Sequence, residues 1–460
     1  MNKTVFICKT KPEYPDYCEA YSPDEQFKEY PFGIINSVPN SVYRAMRMAL
    51  FQMGYDRDHF DTPQWNPFGE IIFPGDTVLI KPNWVSHVNN NKTAGEECLV
   101  THSSIVRFVI DYCYIALRGK GKIVIGDAPI QGADFGQILD KYHINDIIDF
   151  YSNQSVDIEL KDLRNKEDAI YIDLGKKSRF YEINDNQQYH VMDYLEEKTQ
   201  AFHNGEKHVY AINKSALEAN VILNIPKPKC HKLAGMTGAL KNMVGIVADK
   251  STLPHERIGA GSNNGDSTNK ESILSSIVHY LRHQAEIAYE KGNNWKGKLY
   301  RRFDSLIRKG YYIFDKDLYL FGGWYGNDTI WRTIHDLNFI LNHYDYKGEF
   351  HEGSQRRMFS IADMIIAGEN EGPLAPSPIK TGLILFSNDP EIMDVTITRL
   401  MGFDAGKIPT TANVSALNQA YNTVVKSNDA DLNGKLIKEL PIDHPFLAQR
   451  GWRDHIEIRV

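Results

Sequence analysis

Five short apolar runs, each followed by turn residues and then by a helical pattern, constrain the fold of this chain more than any other feature. The runs cover residues 78–80, 123–125, 221–223, 364–366 and 383–386. Strands of a parallel sheet are buried on both faces and are joined by helices, so their sequences alternate in this way. We therefore predict an α/β chain with a mixed, largely parallel Rossmann-like sheet that is flanked by helices.

Between residues 259 and 353 the strand-like runs stop, and long helical patterns rich in Tyr, Trp, Arg and Lys replace them. This change predicts a helical insertion or cap within the α/β chain. We accordingly divide the sequence into a first part of the core at 1–258, the insertion at 259–353 and a second part of the core at 354–460.

The best-marked helix follows the run at 383–386. Asp389 can cap its N-terminus, Pro390 suits the first helical position, and Gly402 suits the residue after the last turn. This pattern predicts a helix over 390–401, and weaker signals predict helices over 41–53, 103–117 and 272–289.

Charge and cysteine content limit the class of protein. The chain has 52 Lys and Arg against 59 Asp and Glu, a net charge of −7, which argues against a nucleic-acid-binding protein. Five cysteines without a Cys-x-x-Cys pair predict neither a disulfide framework nor an iron–sulfur or zinc site, and they favour a reducing, cytoplasmic setting. Charged residues interrupt every apolar segment before it reaches a spanning length, so we expect no integral membrane segment.

Polar residues follow the apolar runs and should meet at one edge of the sheet. In open parallel sheets, ligands bind beyond the carboxyl ends of the strands, where loops and helix N-termini gather. Lys81 and Asn83 follow the first run, and Asp127 follows the second. The sequence therefore predicts a binding site among these residues.

The segment after the third run gives the strongest local signal. Lys227, Lys229 and His231 alternate along a proline-stiffened stretch, so an extended backbone would direct all three to one side. Two glycines, at 235 and 238, precede a predicted helix start at 239–242, whose free backbone N–H groups would favour an anion. We predict a phosphate or carboxylate site here; the alternative is that the lysines are solvated and His231 is an ordinary loop histidine. The further members of the predicted site are Thr237, Lys241, Asn242, Lys250 and His255.

Two of these residue types suit acid–base chemistry. His231 and His255 titrate near neutrality and stand close to lysines that would lower their pKa. We predict His231, Lys241, Asp127 and His255 as the catalytic residues. The remaining lysines, with Asn83, Thr237 and Asn242, are predicted to bind substrate.

Carboxylates near the later strand ends suggest a metal. Asp363, Glu369 and Glu371 offer hard oxygen ligands that suit Mg²⁺ or Mn²⁺, with Asp394 as a further candidate. Their spacing matches no known metal motif, so helix capping and ion pairing with the lysines form the alternative interpretation.

The insertion could close over the site. On a helix, Arg332 and Asp336 share a face, and we predict that Arg332 or Asn338 reaches the ligand while the basic run at 291–309 stays exposed. In the alternative, Arg332 and Asp336 pair on the helix surface and the insertion forms a homodimer contact. The basic run could also meet an anionic lipid surface or a polyanionic substrate.

Several motifs together resemble the family known only as domain of unknown function 362. The most specific are Pro-Lys-Pro-Lys-Cys-His at 226–231 and Thr-Gly-Ala-Leu-Lys-Asn-Met-Val-Gly at 237–245. Residues 78–83, 126–127, 250, 254–255, 331–333, 336–338, 369–374, 389–390 and 394 complete the likeness, which is to the long form of the family. The chain lacks the ferredoxin-type cysteine clusters of some relatives, so no iron–sulfur cluster is expected. The resemblance implies a shared ligand and a role in polysaccharide or secondary-metabolite biosynthesis.

These observations favour a cytoplasmic enzyme that acts on a phosphorylated or carboxylated small molecule with a Lys/His/Asn anion site and a divalent metal. Two alternatives stay open. One is a metal-independent isomerase or racemase in which Lys and His transfer a proton, and the other is a non-catalytic metabolite-binding or assembly protein.

Overall fold

The computed structural model describes residues 3–183, 188–314 and 316–459. Within these ranges the chain forms 15 strands and 13 α-helices. The strands are β1 Val5–Lys9, β2 Thr77–Pro82, β3 Lys122–Asp127, β4 Ile158–Asp162, β5 Ala169–Asp173, β6 Tyr189–His190, β7 His203–Asn204, β8 Lys207–Asn213, β9 Val221–Ile225, β10 Lys229–His231, β11 Gly235–Thr237, β12 Glu256–Arg257, β13 Arg357–Glu371, β14 Ala375–Ser387 and β15 Val425–Ser427. The helices are α1 Ser41–Met53, α2 Ser103–Leu117, α3 Phe135–Lys141, α4 Ile144–Asn153, α5 Glu196–Phe202, α6 Lys214–Glu218, α7 Ala239–Asn242, α8 Ile273–Glu290, α9 Asn294–Phe314, α10 Ile330–His343, α11 Pro390–Leu400, α12 Pro409–Ala412 and α13 Leu417–Tyr421.

A mixed sheet forms the centre of the molecule, in the order β15-β1-β14-β13-β9-β2-β3-β4. Strands β13, β9, β2, β3 and β4 are parallel neighbours, whereas the long hairpin β13–β14 and its neighbour β1 are antiparallel. Short strand β10 continues the pairing along β13 and turns back into β11. The predicted mixed, largely parallel α/β architecture is confirmed.

Helices cover both faces of this sheet, as the buried strands require. Helices α1 and α2 pack on one face with the side chains of alternate strand residues such as Val78 and Ile80, and Leu79 and Ile222 point into the core on the other face. The predicted helices at 41–53 and 103–117 match α1 and α2, and α8 differs from the predicted 272–289 by one residue at each end.

The ends of helix α11 are set by the capping residues from which the helix was predicted. The Asp389 side chain accepts hydrogen bonds from the backbone N–H groups of Glu391 and Ile392, and Pro390 occupies the first turn. Gly402 follows the helix with a φ of +82°, a conformation that favours glycine. Both ends of α11 are therefore fixed by local chemistry that the sequence displays.

The segment at 259–353 contains two differently placed parts. Helices α8 and α9 pack against each other as a hairpin, and a small apolar cluster that includes Leu274 and Val278 lies at its base. Helix α10 instead packs into the core, where Ile334 and Leu337 are fully buried beside α7. In the described part of the chain, every helix is too short or too polar to cross a bilayer.

Candidate functional site

A cavity of about 220 Å³ opens at the carboxyl ends of β2, β3 and β9. The loops that leave these strands meet there because parallel strands end at the same edge of the sheet. Nine of the residues predicted from the sequence line this cavity: Asn83, Asp127, Lys229, His231, Thr237, Lys241, Asn242, Lys250 and His255.

Asp127 is held at the wall of the cavity by several partners. Its carboxylate forms a buried ion pair with Lys81 at 2.7 Å, and it accepts hydrogen bonds from the backbone N–H groups of Trp84 and Ala128. A Cβ atom at Gly245 would lie 2.1 Å from Asp127 Oδ1, so the glycine lets the loop approach this pair. Lys81 and Asp127 therefore join the ends of β2 and β3, and neither is free to act as the substrate-binding cation or the general base that the sequence suggested.

Lys227 does not join the cavity, contrary to the sequence prediction. Its ammonium lies 3.1 Å from the Asp363 carboxylate and donates a hydrogen bond to the Tyr14 hydroxyl at 2.6 Å. Tyr14 in turn donates to Asp363, and the backbone N–H of His102 donates to the same carboxylate. Strand β10 begins only at Lys229, so the period-two alternation does not extend back to Lys227.

A relay of asparagine side chains fixes Lys229. The Lys229 ammonium donates to Asn83 Oδ1 at 2.6 Å, Asn83 Nδ2 donates to Asn242 Oδ1 at 2.8 Å, and Asn242 Nδ2 donates to Asn224 Oδ1 at 2.7 Å. This chain of amides links the ends of β2, β9 and β10 with α7. Asn83 and Asn242 thus position Lys229 at the cavity, since their amide groups already bond to each other, to Lys229 and to Asn224.

The start of α7 is not open to an external anion, which corrects the sequence interpretation. The Asp394 carboxylate accepts hydrogen bonds from the backbone N–H groups of Ala239 and Leu240. A Cβ at Gly238 would lie 2.1 Å from the same carboxylate. The chain itself supplies the anion that a helix N-terminus attracts, so Asp394 is a capping residue. Burial raises its pKa to about 7.

Four lysines that line the cavity have no carboxylate partner in the described ranges: Lys229, Lys232, Lys241 and Lys250. Both acidic residues of the lining are already paired, Asp127 with Lys81 and Asp193 with Arg301. Lys250 donates to the carbonyl of Ala128, whereas the ammonium groups of Lys232 and Lys241 contact no acceptor that the structure describes. The lining therefore carries uncompensated positive charge.

The pKa values of these lysines reflect that imbalance. Burial, followed by the charge of Lys250, lowers the pKa of Lys241 to about 7. Burial also lowers the pKa of Lys232 and of Lys250 to about 8, and it lowers the pKa of Lys229 well below the usual range. An anion bound among them would restore the charged form, since an opposite charge raises a lysine pKa.

The two cavity histidines have opposite hydrogen-bonding roles. Nδ1 of His231 accepts from the backbone N–H groups of Leu233 and Ala234, so its proton resides on Nε2. Nδ1 of His255 donates to the carbonyl of Leu253 at 2.7 Å, which leaves Nε2 with a lone pair. Burial lowers the pKa of both rings, of His255 to about 3. His231 is thus a neutral donor and His255 a neutral acceptor.

A strap at residues 191–194 covers one side of the cavity and is anchored by His190. Nδ1 of His190 lies 2.8 Å from Glu256, and Nε2 lies 3.2 Å from the carbonyl of Tyr194 and 3.5 Å from Glu286. Because all these partners accept, both ring nitrogens carry protons. Burial alone would lower the pKa of His190, but the two carboxylates outweigh it and raise the pKa to about 10.

A family model described as "Domain of unknown function (DUF362)" matches residues 78–399, which include every strand end that contributes to the cavity. The chain belongs to the DUF362 family. The resemblance inferred from the lysine, histidine and glycine motifs is therefore confirmed.

Two individual proteins show more distant similarity to this DUF362 member. A thylakoid-associated protein of Synechocystis is 25% identical over 182 residues, which are 40% of this chain and 42% of the relative, so the chain spans less than half of that relative's length. A crystal structure of a Thermotoga maritima protein shares 14% identity with a TM-score of 0.27, and the match covers 75% of this chain and 56% of that one.

The carboxylates predicted to bind a metal do not converge in this DUF362 chain. Asp363 is paired with Lys227, Glu369 accepts from the backbone of Leu447, and Glu371 accepts from the side chain of Gln449. Glu369 lies six positions after Asp363 along extended β13, a distance of roughly 20 Å. Across the described residues, no group of three or more His, Cys, Asp or Glu is arranged to hold a metal.

Helix α10 does not bring Arg332 or Asn338 to the lining of the cavity. Arg332 pairs with Asp328 at 3.1 Å and donates to the carbonyl of Arg179, and Asn338 Nδ2 donates to the carbonyl of Leu240 behind α7. Asp336 does not pair with Arg332 either, because it accepts from Ser178, Tyr210 and the backbone of Arg179. Helix α10 supports α7 from the core side, and neither Arg332 nor Asn338 lines the cavity.

Three contributions were missed by sequence reasoning. Lys232 stands beside His231 but breaks the alternation, Asn224 is the penultimate residue of β9, and the strap at 191–194 lies in a segment for which no site residue was predicted. The first two could have been found by extending the search to every polar residue between 224 and 242. The strap carries no local signal, because its place depends on the distant partners of His190.

Proposed function

We propose that this DUF362 protein is an enzyme that binds a small molecule with a phosphate or carboxylate group in the cavity and transfers a proton with Lys241. The observation that carries the proposal is the set of four lining lysines without a carboxylate partner among the described residues. Burying unpaired cations is unfavourable, so such a cavity favours an anionic occupant.

Lys241 is the proposed proton-transfer group because both of its protonation states are populated near neutrality. Its pKa of about 7 lies where a general acid or base works best. His231 would donate its Nε2–H to an oxygen of the substrate, and His255 would accept a hydrogen bond from a hydroxyl. The buried hydroxyl of Thr237, which has no hydrogen-bond partner in the described chain, offers one further contact. This arrangement supports the metal-independent isomerase or racemase class.

We also propose a cytoplasmic location, since all five cysteines are unpaired, as in proteins of reducing compartments. A role in polysaccharide or secondary-metabolite biosynthesis and the use of Mg²⁺ or Mn²⁺ stay predictions, and so does a homodimer.

The test begins with inorganic phosphate and sulfate, followed by a panel of phosphorylated and carboxylated metabolites, in calorimetric titrations. We expect Lys241→Met to weaken anion binding by roughly ten- to a hundredfold, the worth of one charged hydrogen bond of about 1.5–3 kcal/mol. Lys120→Met, at an exposed lysine beyond α2, is the matched control and should bind as the native chain does.

Any metabolite that binds is then incubated with the enzyme in D₂O and followed by NMR. Proton transfer predicts deuterium at one substrate position with the native chain and its loss with Lys241→Met. Tight binding without deuterium uptake or product would favour the non-catalytic binding protein instead.

A further inference from the structure

Helix α9 presents a row of large apolar side chains to the outside of the molecule. Trp295 is 70% exposed, Leu306 58%, Phe303 49% and Leu299 42%. At about 100° per residue these four positions fall within roughly 80° of the helix circumference. The row is therefore one continuous stripe, which we call the outer stripe of α9.

The opposite side of α9 is the one that packs on the protein. Asp304 is buried and pairs with Arg282 of α8 at 3.3 Å, and Gly297 lies against the ring of Tyr289, which a Cβ there would approach to 2.5 Å. The helix is thus anchored by polar and small residues together with partly buried Ile307, while the four side chains of the outer stripe face away from the core. This is the reverse of an ordinary surface helix, whose apolar stripe faces inward.

Exposed basic residues border the outer stripe. Lys298, Lys309 and Arg302 lie along one edge, about 20–60° before Trp295, and Lys296 lies on the other edge, about 20° beyond Phe303. Residues 291–309 hold seven Lys and Arg and one Asp, a net charge of 7 − 1 = +6, in a chain whose net charge is −7. Four of these cations border the stripe, whereas Arg301 pairs with Asp193 and Arg308 with Asp304 on the opposite side.

We propose that the outer stripe of α9 binds an anionic lipid surface, with the helix lying in the plane of the interface. Apolar side chains with basic neighbours suit such a surface, because the apolar groups enter the boundary of the acyl chains while Lys and Arg stems extend back to the lipid phosphates. The charge favours this occupant over a second copy of the chain, since two such faces would set the exposed cations Lys296, Lys298, Arg302 and Lys309 against their like.

The proposal can be tested on the full-length chain by sedimentation with vesicles. We expect binding to vesicles that contain phosphatidylglycerol, little binding to pure phosphatidylcholine, and weaker binding at high salt. Lys298→Gln, Arg302→Gln and Lys309→Gln together should weaken binding roughly a hundredfold, at about fivefold per charge. Lys120→Gln, Lys207→Gln and Lys426→Gln remove three exposed lysines of the core and serve as the matched control.

Insertion of the stripe has its own signal. Vesicles should shift the tryptophan emission of the native chain to shorter wavelength, and Trp295→Phe should abolish that shift although five other tryptophans remain. Leu299→Gln, Phe303→Gln and Leu306→Gln together should reduce binding further than the charge variant does. If the apolar variant does not fold, the charge variant and Trp295→Phe still decide the question.

Two results would overturn the proposal. The first is a native chain that stays in the supernatant with both kinds of vesicle, or that binds both equally and independently of salt. The second is a dimer in light scattering that the charge or apolar variant converts to a monomer, because the stripe would then be a contact between copies of the chain.

Discussion

Two groups of lysines at the carboxyl edge of the sheet differ in their partners. Lys81 and Lys227 each face a buried carboxylate, that of Asp127 at 2.7 Å and that of Asp363 at 3.1 Å. Lys232 and Lys241, which line the cavity, contact no carboxylate among the described residues. The two groups share residue type and location, but Lys81 and Lys227 are fully buried whereas Lys232 and Lys241 are partly exposed. A carboxylate partner together with full burial therefore separates a structural lysine from one available to a ligand.

This difference has an energetic meaning. A buried ion pair that loses one partner leaves an uncompensated charge, which costs about 3–5 kcal/mol of stability. An unpaired lysine whose pKa is already lowered can lose its proton instead. Replacing it therefore removes an unfavourable buried charge and breaks no ion pair. Paired and unpaired lysines should therefore respond in opposite ways to substitution.

The largest expected effect comes from breaking the buried ion pair between Lys227 and Asp363. Asp363→Asn should lower the free energy of unfolding by about 3–5 kcal/mol, whereas Lys241→Met should change it by less than about 1 kcal/mol or raise it. Urea denaturation of the two variants measures this contrast. Lys227→Met combined with Asp363→Leu should recover most of the loss, since both charges are then gone. Equal destabilisation by Asp363→Asn and Lys241→Met would remove the distinction between the groups.

The second effect concerns the strap, where the cation is a histidine. His190→Gln should cost about 2–3 kcal/mol, because the charged hydrogen bond to Glu256 and the ion pair with Glu286 are lost. The pKa of His190 is raised to about 10, so its stabilisation is fully present below the ordinary pKa of 6.5 and disappears as pH rises through about 10. Stability curves of the native chain and the variant, recorded from pH 6 to 11, should converge at the alkaline end; a constant gap would contradict the assignment.

Much of the fold was predictable because its determinants are local. The buried apolar runs can be recognised in the sequence, and they predicted the type of sheet and the edge where the cavity lies. Asp389, Pro390 and Gly402 likewise predicted where α11 begins and ends. Lys229, His231 and Lys241 were likewise found from their spacing behind β9. In each case neighbours in the sequence decide the structure.

The errors have a common cause in long-range pairing. Asp363 forms an ion pair with Lys227, Asp328 forms one with Arg332, and Asp394 accepts hydrogen bonds at the start of α7. Nothing near Lys227 in the sequence distinguishes it from Lys229, because the deciding carboxylate is supplied by β13. Sequence spacing predicts which residues reach an edge of the sheet, but not which of them are neutralised there.

A third effect, which is a slope with pH and not a single loss of stability, sharpens the comparison. The pKa of Lys241 is lowered to about 7 and those of Lys232 and Lys250 to about 8, so the unfolded chain binds more protons than the folded one between these values and about 10.5. These lysines therefore make the anion-free protein more stable as pH rises through that window, by up to about 1.4 kcal/mol per pH unit for each group. This trend opposes that of His190, so it is read from the difference between the native chain and Lys241→Met.

The same lysines predict proton uptake when an anion binds. Phosphate should raise their pKa, and binding near pH 8.5 should take up about one proton for each lysine that becomes charged. Calorimetric titrations in two buffers of different ionisation enthalpy measure the uptake, which Lys241→Met should reduce by about one proton. Binding without proton uptake would show that the lysines are already charged in the free protein.

The smallest expected effect is that of divalent metal on the free energy of unfolding. It tests whether the carboxylates keep their present hydrogen-bond partners when a cation is offered. Asp363 is held by Lys227 and Tyr14, whereas exposed Glu371 accepts from Gln449 at the far end of β13, so the two do not share a coordination sphere. Millimolar Mg²⁺ or Mn²⁺ alone should then raise the free energy of unfolding by less than about 1 kcal/mol, and Glu371→Gln should leave that gain unchanged. A metal that contributes to the chemistry should act only together with a phosphate-bearing ligand, whose oxygens would supply the missing coordination. Thermal melts with metal alone, ligand alone and both distinguish these cases. A larger gain from metal alone that Glu371→Gln abolishes would show that a hydrogen-bonded carboxylate can leave its partner for a cation. The distinction between paired and unpaired side chains, which is drawn from the lysines, would then fail for the acidic residues.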